Sequence, residues 1–179
     1  MPRPVRSDAR RNAERLRDAA VAVFMKSGIN APLEDVAREA GVSIGTLYNH
    51  FSNRQELLDA VLPAAAASQL SRVQAAVDAA TTARGRIESY LREVFAVQAS
   101  DRLLSDALST LPLLPAEAAR TCNEVMTLGR DVITDARSSG ETVFLDEDDL
   151  VALVLGNSLV QRAGAPEGWD RFLSRIARS

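Results

Sequence analysis

The sequence predicts an all-α chain in two parts, a three-helix helix-turn-helix domain over residues 1–60 and a second helical domain over residues 61–179. Three observations carry this. Apolar residues recur at spacings of three and four along most of the chain, the period of one helix face. Glycine, proline and Ser/Thr/Asp/Asn fall where helices would start and stop. No stretch alternates apolar and polar residues in the strand pattern beyond the short Val143-Phe144-Leu145, and no segment repeats.

Residues 1–7 hold two prolines and two arginines and read as a disordered arm, either a solvated tail or a basic arm for a polyanion. Helix one then spans about Asp8–Lys26, with Asp8 as its cap and Leu16, Ala19, Ala20, Val23 and Phe24 as its apolar stripe. Gly28 ends it. Pro32 opens helix two, at a position where no amide hydrogen bond is lost. Val36, Ala37 and Ala40 give that helix one apolar face, and Gly41 stops it by taking the left-handed conformation of a C-cap. Ser43 can cap helix three by accepting from its free amides. Ile44, Leu47 and Phe51 would pack back on helix two, leaving Gly45, Thr46, Tyr48, Asn49 and His50 pointing away. Two short helices joined this way make a helix-turn-helix, whose second helix enters the DNA major groove.

The run GVSIGTLYNHF, followed by Asn53-Arg54 and an apolar helix, closely resembles the DNA-binding segment of TetR-family transcriptional repressors. The resemblance covers about Arg10 to Leu62; the remainder shares the family's length and all-helical pattern without a sharp motif. It implies an N-terminal DNA-binding domain and a C-terminal helical domain for effector binding and dimerisation. It also implies that Gly45 and Thr46 approach base edges, that Tyr48 and His50 hydrogen-bond phosphates, and that Arg54 adds a charge-assisted phosphate contact. Ser43 belongs to this DNA-binding set as the cap, and Asn49 either reads adenine or faces solvent. Many relatives carry a Thr or Ser at the start of helix two that touches a phosphate; Ala31 and Pro32 stand there in this chain.

Asn53 caps helix four, with Glu56 three residues on in a capping-box-like spacing. The helical pattern runs to about Ala80, but Pro63 removes one hydrogen bond and clashes with the carbonyl of Asp59, so a kink or a break is expected there. Thr81-Thr82 marks a loop before helix five, about Arg84–Ala99, whose broad stripe is Ile87, Tyr90, Leu91, Val94, Phe95 and Gln98. Helix six (about Arg102–Ser109) and helix seven (about Ala116–Ser138) flank the loop Leu111–Pro115. Asp146–Asp149 begins helix eight, which is apolar nearly all round and should be buried on more than one side. Pro166 opens helix nine, with Trp169, Phe172, Leu173 and Ile176 on its inner face.

Composition sets further bounds. No apolar run reaches the roughly 20 residues that span a bilayer. The basic start lacks an apolar signal core, so a cytoplasmic location is expected. The net charge of −3 is unevenly spread: residues 1–60 carry nine Lys/Arg against eight Asp/Glu, and residues 61–179 carry twelve against sixteen. Within residues 1–17, six arginines face only Asp8 and Glu14. A basic end on an acidic body suits oriented contact with a polyanion.

No nucleophile–base pair, metal cluster or phosphate loop is visible, so neither an enzyme nor a cofactor is expected. Asp146–Asp149 reads as a helix N-terminus favoured by the macrodipole rather than a metal site, because no His or Cys stands nearby. The single cysteine, Cys122, cannot form an internal disulfide and reads as a small buried apolar residue rather than a redox sensor. Tyr90, Phe95, Cys122, Met126, Asn157 and Gln161 are candidates for lining an effector cavity, against a reading as plain helix packing. Asn157 and Gln161 lie four apart on one face and would either bind ligand or pair across a dimer seam. Aromatic residues make up only 4% of the chain, which disfavours an aromatic cage for quaternary cations. The sequence thus reads as a homodimeric TetR-like repressor that binds a palindromic double-stranded operator and is released by a small-molecule effector. The alternatives are a DNA-binding regulator controlled by a protein partner, and a helical enzyme or carrier that borrowed the motif.

Overall fold

Nine helices, and no strand, make up residues 5–109, 114–143, 145–164 and 168–176, the parts described by a computed structural model. They are α1 (Val5–Ser27), α2 (Leu33–Glu39), α3 (Ile44–His50), α4 (Arg54–Asp78), α5 (Ala83–Ser100), α6 (Arg102–Ser109), α7 (Ala116–Ser138), α8 (Glu147–Arg162) and α9 (Trp169–Ile176). The start differs from expectation, because α1 is already helical at Val5. No glycine or proline stands between Val5 and Ser27, so nothing stops the helix from running back through the expected arm. Residues 1–4, 110–113, 144, 165–167 and 177–179 lie outside the described residues, and with them most of the Leu111–Pro115 loop and the Pro166 helix start.

Local chemistry accounts for the helix boundaries. Gly28 and Gly41 end α1 and α2 with φ of 84° and 66°, a region that glycine enters without steric cost. The amide of Val42 then donates to the carbonyl of Ala37 at 3.0 Å, closing the end of α2. Asn53 accepts from the amide of Glu56 at 3.0 Å, and the Glu56 carboxylate accepts from the amide of Ser52 at 2.7 Å. Asp146 and Asp149 form a reciprocal capping box, with bonds of 2.8 and 3.1 Å, so these two carboxylates are engaged with helix amides.

α4 is the shared spine. Its first half packs with α1, α2, α3 and α6 around Leu16, Phe24, Val36, Leu47, Leu58 and Leu104. Its second half joins α5, α7 and α8 around Val73, Val77, Tyr90, Val94, Val132 and Leu150. α4 does not break at Pro63; one helix runs through it from Arg54 to Asp78. An interior proline costs about 3 kcal/mol. Leu57, Leu58, Val61 and Leu62 before it, and Ala66, Val73 and Val77 after it, are buried. At roughly 1.5–3 kcal/mol per large buried side chain, that packing outweighs the proline.

α8 is covered unevenly within the chain. Leu150, Val154, Asn157 and Ser158 are buried, but Val151, Leu155 and Leu159 are 41%, 42% and 58% exposed. Within one chain the helix is therefore covered on one side only. Phe172 of α9 is also exposed rather than inward, with its ring tilted against that of Trp169 at 5.1 Å. The side chains of Leu173 and Ile176 lie outside those described.

Candidate DNA-binding surface and effector cavity

α3 presents its outer face because its inner face is fixed. Leu47 is fully buried and Phe51 nearly so, which anchors the helix on α2. Ser43 Oγ accepts from the amide of Thr46 at 3.1 Å, as an N-cap should. The hydroxyl of Thr46 lies 2.9 Å from the same Oγ, so this hydroxyl is partly engaged while its methyl remains. Gly45, Tyr48 and Asn49 are exposed, Tyr48 by 49%; Thr46 and His50 are half-buried. A Cβ at Gly45 would meet nothing closer than Ser43 Oγ at 3.8 Å, so the backbone there is open to close approach.

Arg54 does something the sequence did not indicate. Its Nη1 donates to the carbonyl of Ile29 at 2.6 Å, and its guanidinium lies over the Phe24 ring at 5.9 Å. It ties the start of α4 to the α1–α2 turn, and α3 is held between those two points. Nothing local signals this, since Ile29 lies 25 residues away.

Among α4, α5, α7 and α8 lies an almost wholly apolar cavity of about 130 Å³. Cys122 and Met126 line it with Val94, Val125 and Val154, and the largely buried Gln69 is the polar side chain in its wall. Burial pushes the Cys122 thiol up to about 11, so it stays neutral. Tyr90 and Phe95 are not among the lining residues. The Tyr90 hydroxyl reaches toward the sulfur of Met126 at 4.0 Å from behind the wall, and burial raises its pKa well above the usual phenol range, only partly countered by Arg130.

Asn157 is fully buried and bonded within the chain. Its amide donates to Gln98 Oε1 at 2.7 Å, and its Oδ1 accepts from the Trp169 indole at 2.7 Å. Gln98 in turn donates to the carbonyl of Val154 at 2.9 Å. This network staples α5, α8 and α9 together. Gln161 adds only a long contact of 3.5 Å to Asn157 Oδ1.

Residues 16–61, which carry this helix-turn-helix, match the family described as bacterial regulatory proteins, tetR family. This helix-turn-helix segment is of the tetR family. An uncharacterised HTH-type transcriptional regulator of Pseudomonas putida, TtgW, is 41% identical over 63 residues, 35% of this chain and 47% of that relative. The HTH-type regulator SrpR of Pseudomonas putida is equally identical over 63 residues, covering 30% of its length. The chain therefore matches less than half of either curated relative. Over nearly the whole chain the fold is that of solved TetR-family structures. A tetR-family regulatory protein from Rhodococcus has a TM-score of 0.74 at 22% identity, covering 93% of this chain and 95% of that one. RolR in complex with resorcinol has a TM-score of 0.60 at 19% identity, covering 96% and 88%. FadR of Bacillus subtilis in complex with stearoyl-CoA has a TM-score of 0.64 at 19% identity, covering 92% and 95%. No helix among the described residues is long and apolar enough to cross a membrane.

Proposed function

We propose that this protein is a cytoplasmic TetR-family transcriptional repressor that binds a near-palindromic DNA operator as a homodimer. Residues 1–60 hold the operator, and residues 61–179 dimerise and bind a small apolar effector. The observation that carries operator binding is the face of α3, where Gly45, Tyr48 and Asn49 stand exposed on a helix anchored by Leu47 and capped by Ser43. Base contacts from Gly45 and Thr46 would specify sequence, and phosphate contacts from Tyr48 and His50 would set register.

The exposed stripe Val151, Leu155 and Leu159, with Phe172, supports the dimer. Packed on its two-fold copy, it would form an isologous four-helix seam. The two α3 helices would then sit one DNA turn apart, roughly 34–36 Å. Val151 and Leu155 also line the apolar cavity, so the partner subunit would close its mouth. An apolar cavity of about 150 Å³ accepts benzene in another protein, so the effector favoured here is a compact, mostly apolar molecule. Stearoyl-CoA, bound by the FadR neighbour, is far too large for this cavity; a molecule of the size of resorcinol, bound by RolR, is closer to it.

The experiment is selection of bound sites from random DNA, followed by operator titration with the triple variant Thr46→Ala/Tyr48→Phe/Arg54→Ala. Loss of binding with the dimer intact supports the reading. Unchanged affinity would exclude α3 as the DNA surface, and a monomer at micromolar concentration by light scattering would exclude the seam.

A further inference from the structure

One side chain in the wall of the apolar cavity carries nitrogen and oxygen, that of Gln69. Gln69 stands one turn from both Ala66 and Val73, which are buried, so it belongs to the inner face of α4. It is itself only 5% exposed. Around it the wall is aliphatic or sulfur-bearing, with Val94, Val125 and Val154 beside Cys122 and Met126. No charged side chain stands among the described residues that line the cavity.

The Gln69 amide has no partner within the chain. The buried amides of Gln98 and Asn157 are spent: Gln98 donates to the carbonyl of Val154 at 2.9 Å, and Asn157 donates to Gln98 Oε1 and accepts from the Trp169 indole, both at 2.7 Å. Gln69 makes no hydrogen bond among the described residues. Its amide is not sealed in the core either, a condition that holds among the described residues only for Ser105 Oγ. The small surface it keeps therefore opens on the cavity that it lines.

Buried polar groups in folded proteins are bonded to protein, water or ligand. Water is a poor partner here, because an enclosed water needs about two to four polar groups and this wall offers one amide. The walls define the chemistry of a better one. The volume of about 130 Å³ suits a single ring. A carboxylate or an ammonium group would be stranded without a counter-charge. A hydroxyl fits the amide whichever way the amide is turned, donating to Oε1 or accepting from Nε2.

We propose that the cavity binds a neutral, single-ring molecule with one hydroxyl, a simple phenol, whose hydroxyl pairs with the Gln69 amide. This rests on the effector-cavity reading above and adds the group that recognises the ligand. Apolar contact supplies affinity, and Gln69 discriminates the hydroxylated ring from the bare hydrocarbon.

The test is calorimetric titration of the full chain, without DNA, with phenol, benzene and sodium benzoate as probes. Phenol should bind with a dissociation constant below about 1 mM, and benzoate at least about tenfold more weakly. Gln69→Met keeps the length and the unbranched shape of the side chain but removes the amide. It should weaken phenol about tenfold and leave benzene unchanged or tighter. Gln69→Leu should do the same, so that a packing fault in one variant does not decide the result. Both variants should melt no lower than the wild type, because the amide has no bond to lose. Benzene binding without phenol binding, or full phenol affinity in both variants, would overturn the role of Gln69 and leave the cavity reading in place. Benzoate binding as tightly as phenol would overturn the neutral ligand class. Failure of both phenol and benzene to bind would overturn the cavity reading and the proposal with it. A lowered melting temperature in both variants would overturn the premise, because the amide would then be bonded in the free protein.

Discussion

Replacing Arg54 by alanine separates two roles for one side chain. It removes a charged N–H bond of 2.6 Å to the carbonyl of Ile29 and a guanidinium lying 5.9 Å over Phe24. A hydrogen bond from a charged group contributes about 1.5–3 kcal/mol, and an exposed cation–π contact about 0.5–1. Arg54 is only half-buried, so the lower ends apply, and the sum is about 2 kcal/mol. For a chain of this size that lowers the melting temperature by about 4–8 °C. Thermal unfolding followed by far-UV circular dichroism reads this directly. Operator affinity measured against salt gives the other role. A pure phosphate contact would reduce the log–log slope by about one on removal, whereas a positioning role weakens binding with the slope intact. Lysine keeps the charge but not the fork, so Arg54→Lys should retain the slope and lose part of the stability. A wild-type melting temperature in Arg54→Ala, together with a lost unit of slope, would refute the anchoring role.

Asn157→Leu leaves Gln98 Oε1 and the Trp169 indole unpaired, so it should destabilise by about 2–4 kcal/mol in chemical unfolding and change the emission of this single tryptophan. Gly129→Ala places a Cβ 2.5 Å from Tyr90 Cζ and 2.8 Å from Leu150 Cδ2, and overpacking of that kind should cost about 1–3 kcal/mol by the same measurement. The Cys122 thiol ionises at its ordinary 9.0 in the unfolded chain and about 11 in the folded one, so stability should fall as pH rises between those values; at pH 8, alkylation by iodoacetamide should be much slower in the folded than in the unfolded chain. Pro63→Ala restores an amide to α4 between the DNA-facing end and the cavity, so the ratio of operator affinities with and without effector should change; an identical ratio would leave Pro63 with a static role.

What the sequence by itself determined is everything set by neighbours along the chain. Ser43, Asn53 and Asp146 cap helices because a side-chain oxygen beside a helix start has free amides within three residues. Gly28 and Gly41 end helices by conformation alone. The outward face of α3 follows from the spacing of Leu47 and Phe51. Tertiary structure decided whatever joins distant segments. Pro63 reads locally as a kink or a break, and packing on both sides of α4 outweighs the cost of carrying one helix through it. Arg54 looked like a surface charge because Ile29 is 25 residues away. Asn157 could have faced a ligand or a partner, and its bond to Gln98, 59 residues distant, spends it inside the chain. Hydrogen bonds and turns between near neighbours leave a pattern in residue order; burial and pairing across the fold depend on which helices meet, and residue order does not contain that.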